Sequence, residues 1–466
     1  MTMRTRLPAV LSLGSLVGLA ALPTPSSGQV REAAEAPPNI VVIMADDLGY
    51  GDIGPYDGWI DTPRLDRMAG DGMRFLDFHS SGNVCSPTRA GLMTGRYQQR
   101  AGIPGVLFAD PARPSHDEGI EADELTLAEA LRARGYATGI FGKWHLGYRV
   151  RFNPVRHGFD EFRGFVSGNI DYHSHVDTMG RADWWRDDEL SEEAGYATHL
   201  VTQHALRFIE RNRDRPFFLY LPHHAPHYPF QGPDDPADRT VGGEFDPRGS
   251  VADRRRAYRD MVQEMDAGIG EVIDALEAHG IADRTLVWFF SDNGAARWGS
   301  NGPLRGLKAT DWEGGHRVPS IAVWPGRVPA GTESGQLAST LDVMPTLLAL
   351  VGSGAGAAAE SSGAGAMALP PFDGVDLSPV LLRQEALAPR QLFWGADGTF
   401  WNGAAVRDGA WKLVIDRHEG TPGPPMLFNL DDDVGEQSDL AAAHPDRVER
   451  MLAALEAWRT DVGAIR

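Results

Sequence analysis

The chain has 466 residues, of which 42% are hydrophobic, 9% aromatic and 23% charged; this composition excludes collagen, coiled coil and disorder as descriptions of the whole chain. A formal net charge of −20 argues against nucleic acid or an anionic membrane as the main partner, whereas an anionic substrate would require local positive charge in its pocket. The single cysteine, Cys85, excludes an internal disulfide.

The first 28 residues have the pattern of a cleavable secretory signal. Arg4 and Arg6 precede an apolar run from Leu7 to Leu22, and a helix-breaking stretch rich in Pro and Ser ends at Gly28. An uncleaved anchor is the alternative, although the run is short for a membrane span. We therefore predict a signal peptide over residues 1–28, a periplasmic or secreted location, and no stable membrane insertion of the mature protein.

Four short runs of apolar residues, rich in β-branched and aromatic side chains, predict buried strands of a parallel sheet. They are Asn39–Met44, Ala137–Phe141, Phe217–Leu221 and Thr285–Phe290. Amphipathic patterns predict three helices, at Glu124–Arg134, Thr198–Asn212 and Arg256–His279. This alternation predicts an α/β fold in which helices sandwich a mostly parallel mixed sheet.

The C-terminal part of the chain differs in character. The segment Gly352–Ala368 is rich in Gly, Ala and Ser and predicts a flexible loop or linker. Short strands and a closing helix are predicted beyond it, at Gln391–Trp401, Gly403–Arg407, Trp411–Ile415 and Arg447–Val462. We therefore predict a large domain over residues 37–368 and a smaller α+β subdomain with an antiparallel sheet over residues 369–466.

Polar residues follow each of the four predicted strands of the large domain. They are the pair Asp46-Asp47, Lys143 with His145, the histidine cluster up to His227, and the pair Asp292-Asn293. The carboxyl ends of parallel strands meet at one edge of a sheet, where ligands bind. Each cluster alone could be a solvated loop, but the four together favour a functional site.

The segment from Cys85 to Arg96 contains the pattern Cys-x-Pro-x-Arg, followed by x-x-Leu-x-Thr-Gly-Arg. This pattern resembles the signature of type I, formylglycine-dependent sulfatases, an arylsulfatase-like family of the alkaline-phosphatase-like superfamily. The resemblance implies that a formylglycine-generating enzyme, a transient partner, oxidises Cys85 to formylglycine. The alternative is a cysteine packed as a small hydrophobic residue.

The resemblance implies hydrolysis of sulfate monoesters, on a carbohydrate or aryl group, with release of inorganic sulfate. A hydrated aldehyde offers two hydroxyls at one carbon. One attacks sulfur and forms a covalent sulfated intermediate, and loss of the proton of the other expels sulfate and restores the aldehyde. Covalent catalysis of this kind divides one difficult step into two easier ones.

The same resemblance implies a metal site made by Asp46, Asp47, Asp292 and Asn293, with the modified Cys85 completing the shell. Three carboxylates and one amide oxygen are hard ligands that suit Ca²⁺, with Mg²⁺ as the alternative. Without the other motifs, an Asp-Asp pair is more often a turn or a helix cap.

The resemblance also implies roles for five further side chains. Lys143 and Lys308 would bind the sulfate oxygens, and Arg89 would hold the formylglycine and add positive charge. His145 would act as the base that promotes sulfate release, and His227 as the acid that protonates the leaving oxygen. These residues would allow an acidic protein to bind an anionic ester.

Substrate choice depends on loops such as Arg181–Gly195 and Gln231–Gly249. Trp184 and Trp185 in the first loop could stack on sugar rings. Two other functions remain open: a phosphomonoester, phosphodiester or phosphonate hydrolase of the same superfamily, and a non-catalytic protein that binds sulfated glycans. A phosphoryl group would favour two metals, whereas the motifs supply ligands for one.

Overall fold

The computed structural model describes residues 1–3, 9, 37–359, 369–395, 403–418 and 421–463. Residues Ala36–Arg466 form one compact unit. Nearly all of the predicted signal peptide, residues 1–28, lies outside the described residues, so it stays a prediction, as does the domain boundary at residue 368. In the described part of the chain, no helix has both the length and the apolar character needed to cross a bilayer.

The described residues contain strands and helices that are numbered here in chain order. The strands are β1 (Asn39–Ala45), β2 (Met73–Phe75), β3 (Phe78–His79), β4 (Ala137–Lys143), β5 (Glu161–Phe165), β6 (Trp185–Arg186), β7 (Glu189–Leu190), β8 (Phe217–Pro222), β9 (Thr285–Ser291), β10 (Ser320–Val323), β11 (Thr332–Ser334), β12 (Ala338–Ser339), β13 (Gln391–Gly395), β14 (Ala404–Asp408), β15 (Trp411–His418) and β16 (Thr421–Asn429). The helices are α1 (Pro63–Asp71), α2 (Cys85–Thr94), α3 (Leu127–Arg132), α4 (Ala197–Asn212), α5 (Arg254–Ala278), α6 (Glu313–His316), α7 (Val343–Ala359), α8 (Ser378–Arg383) and α9 (Pro445–Asp461).

The large sheet confirms the predicted mixed, mostly parallel arrangement. Among the described residues it has ten strands in the order β11-β2-β10-β9-β1-β8-β4-β5-β6-β7. The central strands β9, β1, β8, β4 and β5 are parallel, and β10 runs antiparallel to β9. Met44 of β1 pairs with both Phe290 and Pro222, so three strands end at nearly the same level.

Helices cover both faces of this sheet. Alternate residues of a strand point to opposite faces, and in β1 Val42 and Val41 belong to two different hydrophobic clusters. The first cluster includes side chains of α2, α3 and α7, and the second includes side chains of α1, α4 and α5. Strands β1, β4, β8 and β9 are buried along their whole length, as their unbroken apolar runs predict.

A second, antiparallel sheet in the order β13-β14-β15-β16 confirms the predicted C-terminal fold. Helix α9 packs on it through Leu455 and Trp458. The predicted strand Gln391–Trp401 ends at Gly395, and residues 396–402 lie outside the described residues.

The predicted loop or linker Gly352–Ala368 differs from the structure, because α7 continues through it as far as Ala359. The preceding turns of α7 pack Leu347 and Val351 into the core, so the helix is already nucleated when it reaches the Gly- and Ala-rich stretch. Alanine has a high helix propensity, which offsets the cost of the intervening glycines. Residues 360–368 lie outside the described residues.

Buried ion pairs connect the C-terminal sheet to the large domain. Lys412 of β15 lies 3.0 Å from carboxylate oxygens of both Glu313 and Glu436, and Arg407 of β14 lies 3.0 Å from Asp77. The Lys412 and Glu313 side chains are fully buried. Removal of one partner from such a network leaves an uncompensated charge in the protein interior.

Replacement of Lys412 with Met should therefore lower the free energy of unfolding by about 3 kcal/mol or more, because Glu436 would remain buried without its cation. Urea unfolding followed by tryptophan fluorescence measures the change. The control is Arg383→Met, which breaks an exposed ion pair with Glu385 and should leave the midpoint unchanged. Equal midpoints for the wild type and Lys412→Met would contradict the prediction.

Candidate active site

The carboxyl edge of the large sheet brings the predicted site residues together. Nine of them are joined by direct contacts: Asp46, Asp47, Cys85, Arg89, Lys143, His227, Asp292, Asn293 and Lys308. The tenth, His145, makes no direct contact with these nine among the described interactions. The positive charge of Lys143 nevertheless acts on His145 and lowers the pKa of its ring, after the larger effect of burial.

Cys85 is the first residue of α2 and lies in the middle of this cluster. Its thiol donates to Asp46 Oδ1 at 3.4 Å, and Lys308 Nζ lies 3.2 Å from Sγ. Burial raises the pKa of the thiol to about 12, with a further rise from Asp46 and opposing effects of Lys143 and Lys308. A thiol in this environment is little ionised near neutral pH, which does not favour a thiolate nucleophile.

Backbone geometry at the sheet edge fixes the two acidic pairs. Asp47, the second residue after β1, adopts a left-handed conformation (φ 67°), and its N–H donates to Asp292 Oδ1 at 3.2 Å. The Asn293 Nδ2 donates to Asp47 Oδ1 at 2.8 Å. The two pairs thus face each other across the boundary between β1 and β9.

Two buried oxygen atoms of this group have no hydrogen-bond partner: Oδ2 of Asp47 and Oδ1 of Asn293. Buried polar atoms are nearly always paired, so such orphans require an explanation. Ligand atoms of Asp46, Asp47, Cys85 and His227 lie within 4.8 Å of one another, close enough for a shared metal ion. The carboxylate of Asp292 and the amide of Asn293 contact Asp47 beside this group. Carboxylate and amide oxygens are hard ligands, which fit Ca²⁺, or Mg²⁺ in a more regular geometry.

Three cations balance the three carboxylates of the site. Lys143 Nζ contacts Asp46 Oδ2 at 2.6 Å, Arg89 Nη2 donates to Asp292 Oδ2 at 2.9 Å, and Lys308 binds Asp47. Burial disfavours the charge on Lys308, but the nearby acids, Asp47 foremost, hold its pKa well above the ordinary value. A divalent cation would make this balanced group net positive, which favours an anionic ligand.

Lys308 also marks the open side of the site. Its side chain is 19% exposed, whereas Lys143 and Asp46 are fully buried. Arg89 is buried too, and its Nη1 donates to the Lys143 carbonyl at 2.8 Å. An anion entering past Lys308 would therefore meet a second lysine deeper in the site.

The two histidines each use one ring nitrogen for a backbone contact. His145 Nε2 donates to the Leu107 carbonyl at 2.9 Å, and its buried Nδ1 has no hydrogen-bond partner. His227 Nδ1 donates to the Tyr228 carbonyl at 2.8 Å, and its Nε2 lies 3.7 Å from Asp47 Oδ2. Burial, and then the lysine charges, lower the pKa of both rings well below the usual value. The other nitrogen of each neutral ring, Nδ1 of His145 and Nε2 of His227, is therefore unprotonated and can accept a proton.

Sequence reasoning missed the clamp that holds Lys308 in place. Asn83 Nδ2 donates to Asp311 Oδ1 at 2.7 Å, and the Ala309 N–H donates to the Asn83 carbonyl at 2.8 Å. These bonds tie the loop that carries Lys308 to the segment that leads into Cys85. In the sequence, Asn83 lies close to Cys85 and Asp311 lies close to Lys308, but nothing in the sequence indicates that Asn83 and Asp311 contact each other.

The prediction that Trp184 stacks on a sugar ring is wrong. Its side chain is 2% exposed, its ring stacks on His175 with centroids 4.4 Å apart, and its Nε1 donates to Glu193. Trp184 belongs to the large hydrophobic cluster on one face of the main sheet, so its ring has no face open to a ligand. Trp185 is half-buried and donates to Asp183 at 2.6 Å.

Known proteins resemble this chain over most of its length. Residues 38–353 match the sulfatase family model. Rat arylsulfatase G is 34% identical over 92% of this chain and 88% of that protein, and human N-acetylgalactosamine-6-sulfatase is 34% identical over 91% and 85%. The crystal structure of Ps i-CgsB in complex with k-i-k-neocarrahexaose has a TM-score of 0.75 and 31% identity, and the match covers 91% of this chain and 92% of that one.

The chain belongs to the sulfatase family of the alkaline-phosphatase-like superfamily. It is a sulfuric ester hydrolase that acts on sulfate esters. The family implies both a formylglycine and a metal, and the acidic cluster around Asp47 has ligands that could hold the ion.

Ca²⁺ should raise the melting temperature of metal-stripped protein, because only the folded chain holds these oxygen ligands together. At a free Ca²⁺ concentration about 100 times the dissociation constant, binding to the folded state alone should add ~2.7 kcal/mol to the free energy of unfolding. Asp47→Asn should lose most of this effect because it removes one ligand charge, whereas exposed Asp214→Asn should keep it. Differential scanning fluorimetry with and without Ca²⁺ provides the measurement, and an unchanged response of Asp47→Asn would contradict the assignment.

Proposed function

We propose that this protein hydrolyses sulfate monoesters of carbohydrates, with aryl sulfates as simpler substrates, through a formylglycine formed from Cys85. The observation that supports this most directly is the position of Cys85, with Sγ between the carboxylate of Asp46 and the ammonium group of Lys308. A nucleophile at this atom would attack a group already held by cations. The carbohydrate preference rests on two relatives, the human N-acetylgalactosamine-6-sulfatase and the complex with neocarrahexaose.

The hydrated formylglycine would supply a hydroxyl nucleophile and a second hydroxyl whose deprotonation releases sulfate. Asp46, Asp47, Asp292 and Asn293 would hold Ca²⁺, or Mg²⁺ in its place, and the ion would stabilise negative charge on the nucleophile and on the transferring group. The orphaned oxygens of Asp47 and Asn293 support this assignment.

The cations would bind and orient the sulfate group. Lys308, partly exposed, would receive the anion first, and buried Lys143 would contact another sulfate oxygen. Arg89 would hold the residue at position 85 and add positive charge. Its guanidinium is fixed by hydrogen bonds to Asp292 and to the Lys143 carbonyl. Preorganised charges in a buried site stabilise a transition state without paying for solvent reorganisation.

The two histidines would transfer the protons. His145, with an unpartnered Nδ1, would take the proton whose loss releases sulfate. His227 keeps its Nδ1 proton in the bond to the Tyr228 carbonyl, so it would first take up a second proton at Nε2 and then, as the imidazolium, pass that proton to the oxygen of the departing alcohol. The cell compartment that we propose is periplasmic or extracellular, after cleavage of residues 1–28 and modification by a formylglycine-generating enzyme.

Matched sulfate and phosphate esters of one alcohol test the proposed reaction. Protein made together with a formylglycine-generating enzyme should hydrolyse the sulfate ester with the higher kcat/KM. Cys85→Ala should lower that kcat/KM by at least ~10³-fold, since it removes the nucleophile, and Arg383→Met on the surface should leave it unchanged.

The outcomes of this assay separate the alternatives. A higher kcat/KM for the phosphate ester would favour a phosphoester hydrolase. Binding of a sulfated glycan without release of sulfate would favour a non-catalytic binding protein. Activity of purified Cys85→Ala equal to the wild type would contradict the proposed nucleophile.

A further inference from the structure

A column of neighbouring rings, three of whose four contacts are stacked, begins at the catalytic edge. It consists of Tyr228, His227, His224, Tyr172 and Tyr196 in that order. Successive ring centroids are 4.3, 5.5, 4.3 and 5.4 Å apart, and all four interplanar angles are 30° or less. The ring of His227 thus lies between two other rings, which restricts its tilt.

Hydrogen bonds fix the backbone of His227 as well as its ring. Tyr172 Oη donates to the His227 carbonyl at 2.9 Å, and the His227 N–H donates to the His224 carbonyl at 2.9 Å. Tyr172 is fully buried, and its own N–H donates to Gln231 Oε1, further along the loop that carries His227. Ring, side-chain nitrogen, carbonyl and N–H of His227 are therefore all engaged, which leaves Nε2 toward Asp47.

We propose that Tyr172 is a positioning residue that holds His227 in the orientation needed to protonate the leaving group. This inference rests on the proposed function, in which His227 is the acid. Tyr172 acts through two contacts: its hydroxyl fixes the His227 carbonyl, and its ring stacks on His224, which lies tilted against the ring of His227. Without the hydroxyl, the His227 carbonyl loses its hydrogen-bond donor and the loop can rotate the imidazole away from the ester oxygen.

The chain offers a matched control for this hydrogen bond. Tyr196 is also buried, belongs to the same column, and donates from Oη to the carbonyl of Gln231 at 2.9 Å. Tyr172 and Tyr196 therefore each donate one buried phenol hydrogen bond to the same loop, at positions four residues apart. Only the bond from Tyr172 reaches His227.

The experiment compares Tyr172→Phe with Tyr196→Phe on a series of aryl sulfates whose phenols differ in pKa. A poor leaving group needs the proton from His227, whereas a good leaving group departs without it. Tyr172→Phe should lower kcat about tenfold to hundredfold on poor leaving groups, part of the usual contribution of a general acid. It should change kcat little on good leaving groups and KM little on either, and Tyr196→Phe should resemble the wild type throughout.

A second measurement keeps the proposal testable if Tyr172→Phe also lowers stability. Tyr172→Phe is introduced into His227→Ala, with all assays kept below the melting temperatures of the variants. If Tyr172 acts through His227, the substitution should have no further effect on kcat in that background. A further loss equal to that in the wild type would overturn the proposal.

Two other results have distinct meanings. Equal losses on good and poor leaving groups, or equal effects of Tyr172→Phe and Tyr196→Phe, would assign Tyr172 a merely structural role and overturn the inference alone. Failure of the wild-type, modified enzyme to hydrolyse any sulfate ester would instead overturn the proposed function.

Discussion

The electrostatic balance between three buried carboxylates and three cations is the interaction on which the site depends. Asp46 and Asp292 are fully buried, and unpaired charges in such positions would be very costly. Lys143 and Arg89 compensate them from β4 and α2, so strand, helix and loop must all be in place before the acids can be buried. The same cations are then available to an anionic substrate when a divalent ion occupies the carboxylates.

The parallel sheet makes this balance possible because it ends several strands at one level. Met44 pairs with Phe290 on one side and Pro222 on the other, so the residues that follow these positions emerge side by side. The helices on both faces exclude water from the strands, which increases the strength of the charge interactions at the edge. Fold and chemistry are thus connected through strand register.

Much of this arrangement could be predicted from the sequence. The four apolar runs that become β1, β4, β8 and β9 carry their polar residues at the strand ends, and this local pattern survives folding. The signature that begins at Cys85 identifies the family because it lies in one continuous segment, most of which forms α2. Such features depend on neighbours in the chain, where sequence patterns are most informative.

The remaining features depend on contacts between distant segments. Three examples are the Leu107 carbonyl that accepts from His145, the hydrogen bond from Asn83 to Asp311, and the stack of Tyr172 on His224. Trp184 shows the same limit, since a tryptophan in a loop can pack into the main core instead of facing a ligand. Composition and periodicity do not indicate whether a given aromatic side chain will pack in the core or face a ligand.

The most direct test of the account is mass spectrometry of the tryptic peptide Phe75–Arg89, from protein produced together with a formylglycine-generating enzyme. If formylglycine is the nucleophile, the peptide will have lost hydrogen sulfide and gained one oxygen at Cys85, in proportion to the sulfatase activity of the preparation. A fully active preparation in which Cys85 remains an unmodified thiol would contradict formylglycine as the nucleophile.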